Sequence, residues 1–500
     1  MYQLYRDRPH LVLCIILANI CLSAWCLYLD PIINFDGVTY TSIAKLFLEA
    51  KAYAAFEHYS WPFYSLFIAV VAKILFIDVE TAAYVLNTLF AISLTLAFVC
   101  IVAELSNNNR RMVMIAMVVI LLFPSISKYR SFIIRDFGYL SCYLWSLYFI
   151  FRFCAQTNKN YLIGWIVFAA LSSLFRFEGI VFMLIAPYFL FLFGATSIPH
   201  RKKVLAALSL VIASSSAAII FWYVNDKYTD SVEANQHINS LWDFFASNIQ
   251  TRLNGEPLSP LTFAGLLLDN SSDVVYELIR RMAIFYFLFA IYAYIHRLAL
   301  QQDLPRKIWL IYLLTNIAML VAFSLSNNFL VSRYTMATAL TLLILAPFAL
   351  DRLISVYGSS GLKTKLSIGL VLALLVAVSL EGLNVKTNKG FIKQGGLWMK
   401  QNLPAEATIY SNNKLAIYYS DRGVEANLDM LYSQDMLKQF IKTREVRRFD
   451  YVAIVANTHK PSEDLARQTL SFYFGIPLKI FFGENDDNLF IFSTTFQERD

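Results

Sequence analysis

The sequence predicts a polytopic all-α membrane protein of about eleven spanning helices, with amphipathic helices on its outer face and a small soluble α/β domain at its C-terminus. Hydrophobic residues make up 58% of the chain and charged residues 15%, whereas soluble chains carry about 45–50% and ~25%. The apolar residues gather in long runs between short basic clusters. After residue 383, short β-rich runs alternate with amphipathic stretches. We therefore divide the chain into a transmembrane region, 1–383, and a C-terminal domain, 384–500.

Apolar runs that approach the ~20 residues needed to cross a bilayer define the predicted spans. The first run follows Arg6 and Arg8 but has no small-residue cleavage site after it, so we expect an uncleaved span and not a signal peptide. The predicted spans are 11–29, 82–103, 112–125, 137–153, 161–175, 179–195, 204–223, 282–298, 307–325, 338–350 and 366–383.

One further apolar run, 62–77, opens with Pro62 and contains Lys73. If it lies along the outer surface, basic clusters such as Arg110–Arg111 and Arg201–Lys203 fall in the cytoplasm, as the positive-inside rule requires. If it crossed, most of these clusters would move outside. We expect an interfacial or re-entrant helix here, a cytoplasmic N-terminus and an extracytoplasmic C-terminal domain, in a multi-pass plasma (inner) membrane protein.

This topology predicts three outer features. The first is the loop 30–81, in which 39–58 has the apolar spacing of one amphipathic helix. The second is the loop 225–281. The third is the tail, for which we expect strands at 407–411, 450–457 and 488–495, helices at 428–446 and 461–474, and no catalytic residue.

Ionisable residues at the membrane edge are costly, so they are functional candidates by default. Each has a structural alternative. Asp36 could cap a helix, Arg176 and Glu178 could form a local ion pair, and Arg280 could extend towards headgroups; His58 has the setting of an ordinary loop residue. The candidate set is Asp36 and Asp136 as catalytic carboxylates; Arg135, Arg176, Arg280, Arg281, Arg333 and Tyr334 as phosphate-binding residues; and Tyr40, Glu178 and His58 as substrate-positioning residues.

These residue types suit transfer from an anionic, membrane-bound donor. Arginine binds phosphate oxygens in a bidentate manner and stays charged at any physiological pH, and a carboxylate can orient or deprotonate an acceptor hydroxyl. The net charge of +7 does not indicate nucleic-acid binding, because the basic residues stand between apolar runs. None of the six cysteines has metal-ligand spacing with histidine.

Four landmarks, in order, resemble the GT-C superfamily of glycosyltransferases, above all the protein O-mannosyltransferases and lipid A aminoarabinose transferases. They are DGVTY at 36–40, the proline-led segment 61–76, Arg135–Asp136 and Arg333–Tyr334, and RFEG at 176–179 resembles a common turn of the family. The resemblance implies a GT-C fold, Asp36 as the principal catalytic carboxylate and basic residues that hold a donor phosphate. The chain departs from members with an acidic pair in the first loop, because Asn34 and Phe35 precede a lone Asp36; we assign no metal ligand and no cofactor.

We therefore expect an inverting or retaining glycosyltransferase. It would take a sugar from a polyprenyl-phosphate donor and transfer it to a lipid, glycan or protein acceptor on the extracytoplasmic face of the bilayer. A transporter or flippase of a lipid-linked sugar would use the same arginines without a base. A glycan polymerase or ligase is disfavoured, because the loop 225–281 has few arginines.

Overall fold

The computed structural model describes residues 8–156, 158–193, 260–301, 303–327, 329–359, 361–384, 389–423, 439, 443 and 445–494. Three predicted features lie wholly or partly outside these residues. They are the span 204–223, the part of the loop 225–281 that precedes residue 260, and most of the helix 428–446. The described residues divide into two compact units. The first contains those of 1–26, 87–130 and 135–384, and the second those of 27–86, 131–134 and 385–500.

Helices account for nearly all the secondary structure before residue 384. Asparagine side chains cap two of them, since Asn109 accepts the amide of Arg111 at 2.9 Å and Asn158 that of Asn160 at 2.9 Å. The helices are α1 (Pro9–Leu29), α2 (Phe35–Leu48), α3 (Ala52–His58), α4 (Phe63–Leu75), α5 (Val79–Leu105), α6 (Arg110–Leu121), α7 (Pro124–Ser127), α8 (Asp136–Gln156), α9 (Lys159–Phe175), α10 (Glu178–Phe193), α11 (Pro260–Arg281), α12 (Phe285–Ile295), α13 (Asp303–Asn327), α14 (Met336–Leu343), α15 (Ala346–Ser359) and α16 (Leu362–Glu381).

Four of the described helices, α1, α5, α13 and α16, are long and apolar enough to cross a membrane. The pairs α11–α12 and α14–α15 are bent by 107° and 49°, and the number rises to six if each pair is one span. The predicted span 112–125 is not one continuous helix, because α6 has 12 residues and a new helix begins at Pro124. At 1.5 Å per residue such a helix covers roughly 18 Å, less than the ~30 Å apolar core of a bilayer. The figure of eleven spans stays a prediction.

Helix α8 is the centre of the first unit, and most of its residues are buried. It packs against α9, where small residues allow close approach: a Cβ on Gly138 would lie 2.7 Å from the ring of Phe175, and one on Gly164 would lie 2.7 Å from the ring of Phe149. This packing fixes the first turn of α8 next to the last turn of α9.

Polar side chains connect the buried helices of the first unit. The Tyr143 hydroxyl lies 2.7 Å from Thr341 Oγ1 and accepts a hydrogen bond from Asn316 Nδ2 at 2.8 Å. Glu104 accepts two hydrogen bonds of 2.9 and 2.8 Å from Arg152 Nη1. Such bonds hold helices together where burial of apolar surface gives little driving force.

The second unit contains α2, α3 and α4. The single amphipathic helix expected over 39–58 is in fact two, because the chain turns after α2 through Ala50, whose φ is +59°. Apolar residues of both helices pack together, with Ile43, Leu46 and Ala55 fully or almost fully buried. Helix α4 has 13 residues and ends at Leu75; the next residue, Phe76, has a left-handed φ of +56°. The interfacial or re-entrant placement of 62–77 stays a prediction.

The C-terminal residues of the second unit form a four-stranded sheet in the order β1-β2-β4-β3, with helices packed against it. Strand β1 (Ile409–Ser411) pairs in parallel with β2 (Tyr451–Asn457), and β4 (Asp487–Ser493) pairs antiparallel with both β2 and β3 (Lys479–Phe482). Helix α17 (Gly390–Asn402) lies against β3 and β4, α18 (Lys414–Ser420) follows β1, and α19 (Pro461–Phe474) packs on β2 and β4. Strands β1 and β2 lie within the predicted runs 407–411 and 450–457, β4 begins one residue before the predicted run 488–495, and α19 has the predicted bounds, whereas β3 was not expected.

Successive residues of each strand face opposite sides of the sheet, as the two-residue period of a strand requires. Val452, Ile454 and Phe492 pack towards α19 with Leu470. The second unit thus combines residues 27–86 and 131–134 with the C-terminal residues. The division at residue 384, made on the sequence, stays a prediction.

Candidate active site

Three charged residues of the first unit occupy helix ends that suit their charge. Asp136 is the first residue of α8 and Glu178 the first of α10, while Arg176 caps the C-terminus of α9. A helix carries partial positive charge at its N-terminus and partial negative charge at its C-terminus. The two carboxylates and the guanidinium are therefore all favoured where the chain places them.

These side chains form one buried cluster. Arg176 Nη1 donates to Asp136 Oδ1 at 2.5 Å, Arg176 Nε donates to Glu178 Oε1 at 3.0 Å, and Arg176 Nη2 also donates to Glu178 Oε1. The exposed fraction of the side chain is 5% for Arg176 and 6% for Asp136. Two carboxylates on one guanidinium leave an excess negative charge, and Glu178 Oε2 has no hydrogen-bond partner among the described residues.

The RFEG turn that carries this cluster depends on its glycine. A Cβ on Gly179 would lie 2.4 Å from the backbone nitrogen of Ser173 and 2.5 Å from Ser172 Oγ. Only glycine allows the start of α10 to fold so closely against the end of α9. The local ion pair of Arg176 and Glu178, an alternative in the sequence analysis, is present together with the link to Asp136.

Arg333 and Tyr334 lie on a short 3₁₀ turn, Ser332–Thr335, between α13 and α14. The guanidinium carbon of Arg176 is 4.1 Å from the centre of the Tyr334 ring, and that of Arg333 is 5.7 Å from it. Phe323 packs edge-on against the same ring at 4.8 Å. Tyr334 therefore joins the buried cluster to a second arginine through cation–π contacts.

A cavity of about 410 Å³ opens beside this cluster, within the usual size range of a small-molecule site. Its polar end holds the two carboxylates and both arginines, and α13 provides a mainly apolar wall. Such a division suits a ligand with a charged head and an apolar chain. The lining residues are Asp136, Tyr139, Leu140, Arg176, Phe177, Glu178, Val181, Asn316, Met319, Leu320, Ala322, Phe323, Ser326, Asn327, Arg333, Tyr334 and Ala337.

A basic cluster adjoins the 3₁₀ turn in the same unit. Arg280 Nη2 donates to Ser332 Oγ at 3.1 Å and to Glu277 Oε1 at 2.7 Å, and Arg281 Nε donates to Glu277 Oε1 at 3.2 Å. Partial burial and the positive charges of Arg281 and Arg280 lower the pKa of Lys128. Two arginines thus share one carboxylate and Lys128 lies within electrostatic reach of both, so the cluster has an excess of positive charge that suits an anion.

The remaining candidates have separate settings. Arg135 is half-buried before α8 and is not among the residues that line the cavity. In the second unit, Asp36 is half-buried in the first turn of α2, where Asn34 and not Asp36 is the N-cap residue. Tyr40 is buried with its ring edge-on to those of Tyr59 and Tyr64, at 5.9 and 5.0 Å.

His58, also in the second unit, is the half-buried last residue of α3. Among the residues that the structure describes, no group of three His, Cys, Asp or Glu side chains is arranged to hold a metal ion.

Sequence reasoning missed several residues around these sites. Tyr139 lies three residues after Asp136, one helical turn along α8, and that spacing could have indicated it. Asn316 is a polar residue inside an apolar run, which is a usable signal. Lys414, described below, had no such signal, because it lies in a tail with ordinary soluble composition.

No family model and no curated protein matches the sequence. Solved structures do match the fold. ArnT from Cupriavidus metallidurans, in the apo state, superimposes with a TM-score of 0.57 at 12% identity over 98% of both chains. The GT-C-type fold is confirmed.

The archaeal oligosaccharyltransferase AglB from Archaeoglobus fulgidus, solved with an inhibitory peptide and a dolichol-phosphate, gives a TM-score of 0.51 at 12% identity, over 90% of this chain and 70% of its own. An Archaeoglobus fulgidus oligosaccharyltransferase in complex with Zn and sulfate gives 0.50 at 13% identity, over 85% of this chain and 64% of its own. Likeness at this level of identity concerns the fold.

Proposed function

We propose that this GT-C-fold chain is a membrane glycosyltransferase. In this proposal it moves a sugar from a polyprenyl-phosphate donor to a lipid, glycan or protein acceptor on the extracytoplasmic face. The observation that carries the proposal is the cavity of the first unit, in which Arg333 and the Asp136–Arg176–Glu178 cluster meet an apolar wall. A solved relative in fold, AglB, binds a dolichol-phosphate, which is a ligand of the same chemical class.

The proposed reaction is a transfer at the anomeric carbon. The acceptor hydroxyl oxygen forms a bond to that carbon, the bond from the carbon to the phosphate oxygen breaks, and the polyprenyl phosphate leaves with the electron pair. The hydroxyl proton passes to a carboxylate, a role that we give to Asp36. Positive charge near the leaving phosphate stabilises the transition state.

The arginines divide the remaining work in this proposal. Arg176 is already bonded to two carboxylates, so its main task is to fix Asp136 and Glu178. Contact with the donor phosphate falls first to Arg333, which lines the cavity, and to the cluster of Lys128, Arg280 and Arg281, whose charge exceeds that of Glu277. Arg135 is an additional phosphate contact in the same scheme.

We also propose the orientation that the basic clusters predict, with about eleven spans, a cytoplasmic N-terminus and a soluble C-terminal domain outside. A reporter fused after Glu381 should then be active only outside the cytoplasm. Activity of a cytoplasmic reporter at that position would reverse the assigned orientation.

The test of function is mass spectrometry of polyprenyl-linked sugars in a deletion strain complemented with wild type, Asp36→Asn or Asp136→Asn. Each variant preserves shape and removes a negative charge. We expect one polyprenyl-phosphate sugar to accumulate in the deletion strain, wild type to clear it and Asp36→Asn to fail. An unchanged lipid-linked pool would refute the transferase, and a fully active Asp36→Asn variant would favour a transporter, which needs no base.

A further inference from the structure

A lysine from the C-terminal part of the chain lies beside Asp36 in the second unit. Lys414 Nζ donates to Thr39 Oγ1 at 2.7 Å. Thr39 lies three residues after Asp36 on α2, so the two side chains are neighbours on one helix face. Lys414 is half-buried.

Hydrogen bonds hold the backbone segment that carries Lys414 in place. Asn412 Nδ2 donates to the carbonyl oxygen of Val455 at 2.8 Å, and the amide of Val455 donates to Asn412 Oδ1 at 2.8 Å, which ties the loop after β1 to β2. Asn413 then caps α18 by accepting the amide of Leu415 at 3.0 Å. Lys414 therefore extends from a fixed point, as a residue that must orient another group requires.

Further along α18, the Tyr419 hydroxyl accepts the amide of Ile33 at 3.0 Å. Lys393 of α17 donates to the carbonyl oxygen of Pro31 at 3.0 Å. The segment that leads into Asp36 is thus fastened to the C-terminal helices on either side of the lysine.

We propose that Lys414 is a positioning residue of the transferase: its ammonium group, anchored on Thr39, is the counter-charge that orients the Asp36 carboxylate towards the acceptor. This inference rests on the proposed function. It gives the C-terminal part of the chain, for which the sequence indicated no catalytic contribution, a part in the reaction that is exerted through Asp36.

The electrostatics agree with the geometry. Burial lowers the pKa of Lys414, and the negative charge of Asp36 raises it. A half-buried ammonium group loses hydration, and the nearby carboxylate offsets that loss. The other charged or titratable groups around α18 are Asp30 before α2, Tyr40 and Lys45 of α2, Glu80 and Tyr84 of α5, Lys393 and Lys400 of α17, Tyr410 of β1, and Tyr418, Tyr419 and Asp421 of α18 and its C-cap. The Tyr418 hydroxyl donates to Glu80 Oε2 at 3.0 Å.

The first test measures the Asp36–Lys414 coupling without any transfer assay. The full-length protein in detergent is treated with an amine-acylating reagent at pH 8, and the rate at each lysine is followed by mass spectrometry in wild type and Asp36→Asn. We expect the rate at Lys414 to rise about tenfold in the variant, since loss of a nearby opposite charge favours the neutral amine. Lys400, which pairs with Asp421 at 2.9 Å, is the internal control and should not change.

The second test follows transfer in Lys414→Met and Lys414→Arg, with Lys400→Met as the matched control. We expect kcat to fall about 10–100-fold in Lys414→Met with the donor KM nearly unchanged, and Lys414→Arg to recover part of the rate. The alkaline limb of the pH profile should move to higher pH in Lys414→Arg, because a guanidinium stays protonated. A merely structural lysine would not shift that limb.

The outcomes are separable. Absence of transfer by wild type would refute the proposed function, while the acylation rates would still report on the coupling. A Lys414 rate that Asp36→Asn leaves unchanged, or a Lys414→Met variant with wild-type kcat, would overturn the role of Lys414.

Discussion

The buried cluster of Asp136, Arg176 and Glu178 makes a quantitative prediction about stability. Replacing Arg176 by Met keeps a side chain of similar reach and removes three hydrogen bonds to the two carboxylates. Because the Asp136 side chain is only 6% exposed and that of Glu178 18%, both carboxylates would be left close together with little solvent. Removal of one partner from a buried ion pair costs about 3–5 kcal/mol, and we expect a loss of that order.

The assay is unfolding in mixed micelles with increasing SDS, followed by tryptophan fluorescence. Asp136→Asn added to Arg176→Met should recover a substantial part of the loss, because one of the two stranded charges is gone. The control is Lys460→Met, which breaks an exposed pair with Glu463 and should cost no more than about 1 kcal/mol. An Arg176→Met variant within 1 kcal/mol of wild type would refute the reasoning, as would a double variant less stable than the single one.

Three further predictions concern the same region. Gly179→Ala should destabilise the protein by about 1–3 kcal/mol, since the new Cβ would meet the Ser173 backbone. The control is Gly369→Ala, which should be neutral or stabilising because a Cβ there would have nothing within 4 Å. Thermal unfolding of wild type and both variants measures the difference. The double substitution Arg280→Glu and Arg281→Glu should raise the donor KM at least tenfold and leave kcat within a few-fold, and an unchanged KM would contradict a phosphate contact. Tyr334→Leu should cost about 1–2 kcal/mol through lost arginine contacts, while Tyr334→Phe should retain most of that stability in the same SDS titration.

The sequence predicted the fold class because the signals for it are repeated along the chain. Long apolar runs identify helices such as α1 and α5 without tertiary information. The interruption at Pro124 was missed although proline is itself a helix-breaking signal. The bend after α11 was missed because an apolar run does not show the angle between two helices. Strand β3 was missed because it is a short edge strand whose residues are partly exposed, so its alternation is weak.

The site was partly predictable for the same reason. Asp136, Arg176, Glu178, Arg333 and Tyr334 attract attention as polar residues at the ends of apolar runs, and the structure brings all five to one cavity. The pairing of Arg176 with two carboxylates depends on how α8, α9 and α10 pack, which local sequence does not encode. The link between Lys414 and Thr39 joins residues far apart in the chain, and a single sequence contains no signal for it.

The composition of the second unit has a consequence for biosynthesis. The amide of Ile33 bonds to the hydroxyl of Tyr419, a separation of 386 residues. At roughly 5–20 residues per second the ribosome needs on the order of 20–80 s to make the intervening chain. Helices α2 to α4 are therefore synthesised long before the residues of α18 that contact the segment around them. A chain that stops before α18 therefore lacks the hydrogen bond from Ile33 to Tyr419 and the one from Lys414 to Thr39, and keeps the one from Lys393 to Pro31.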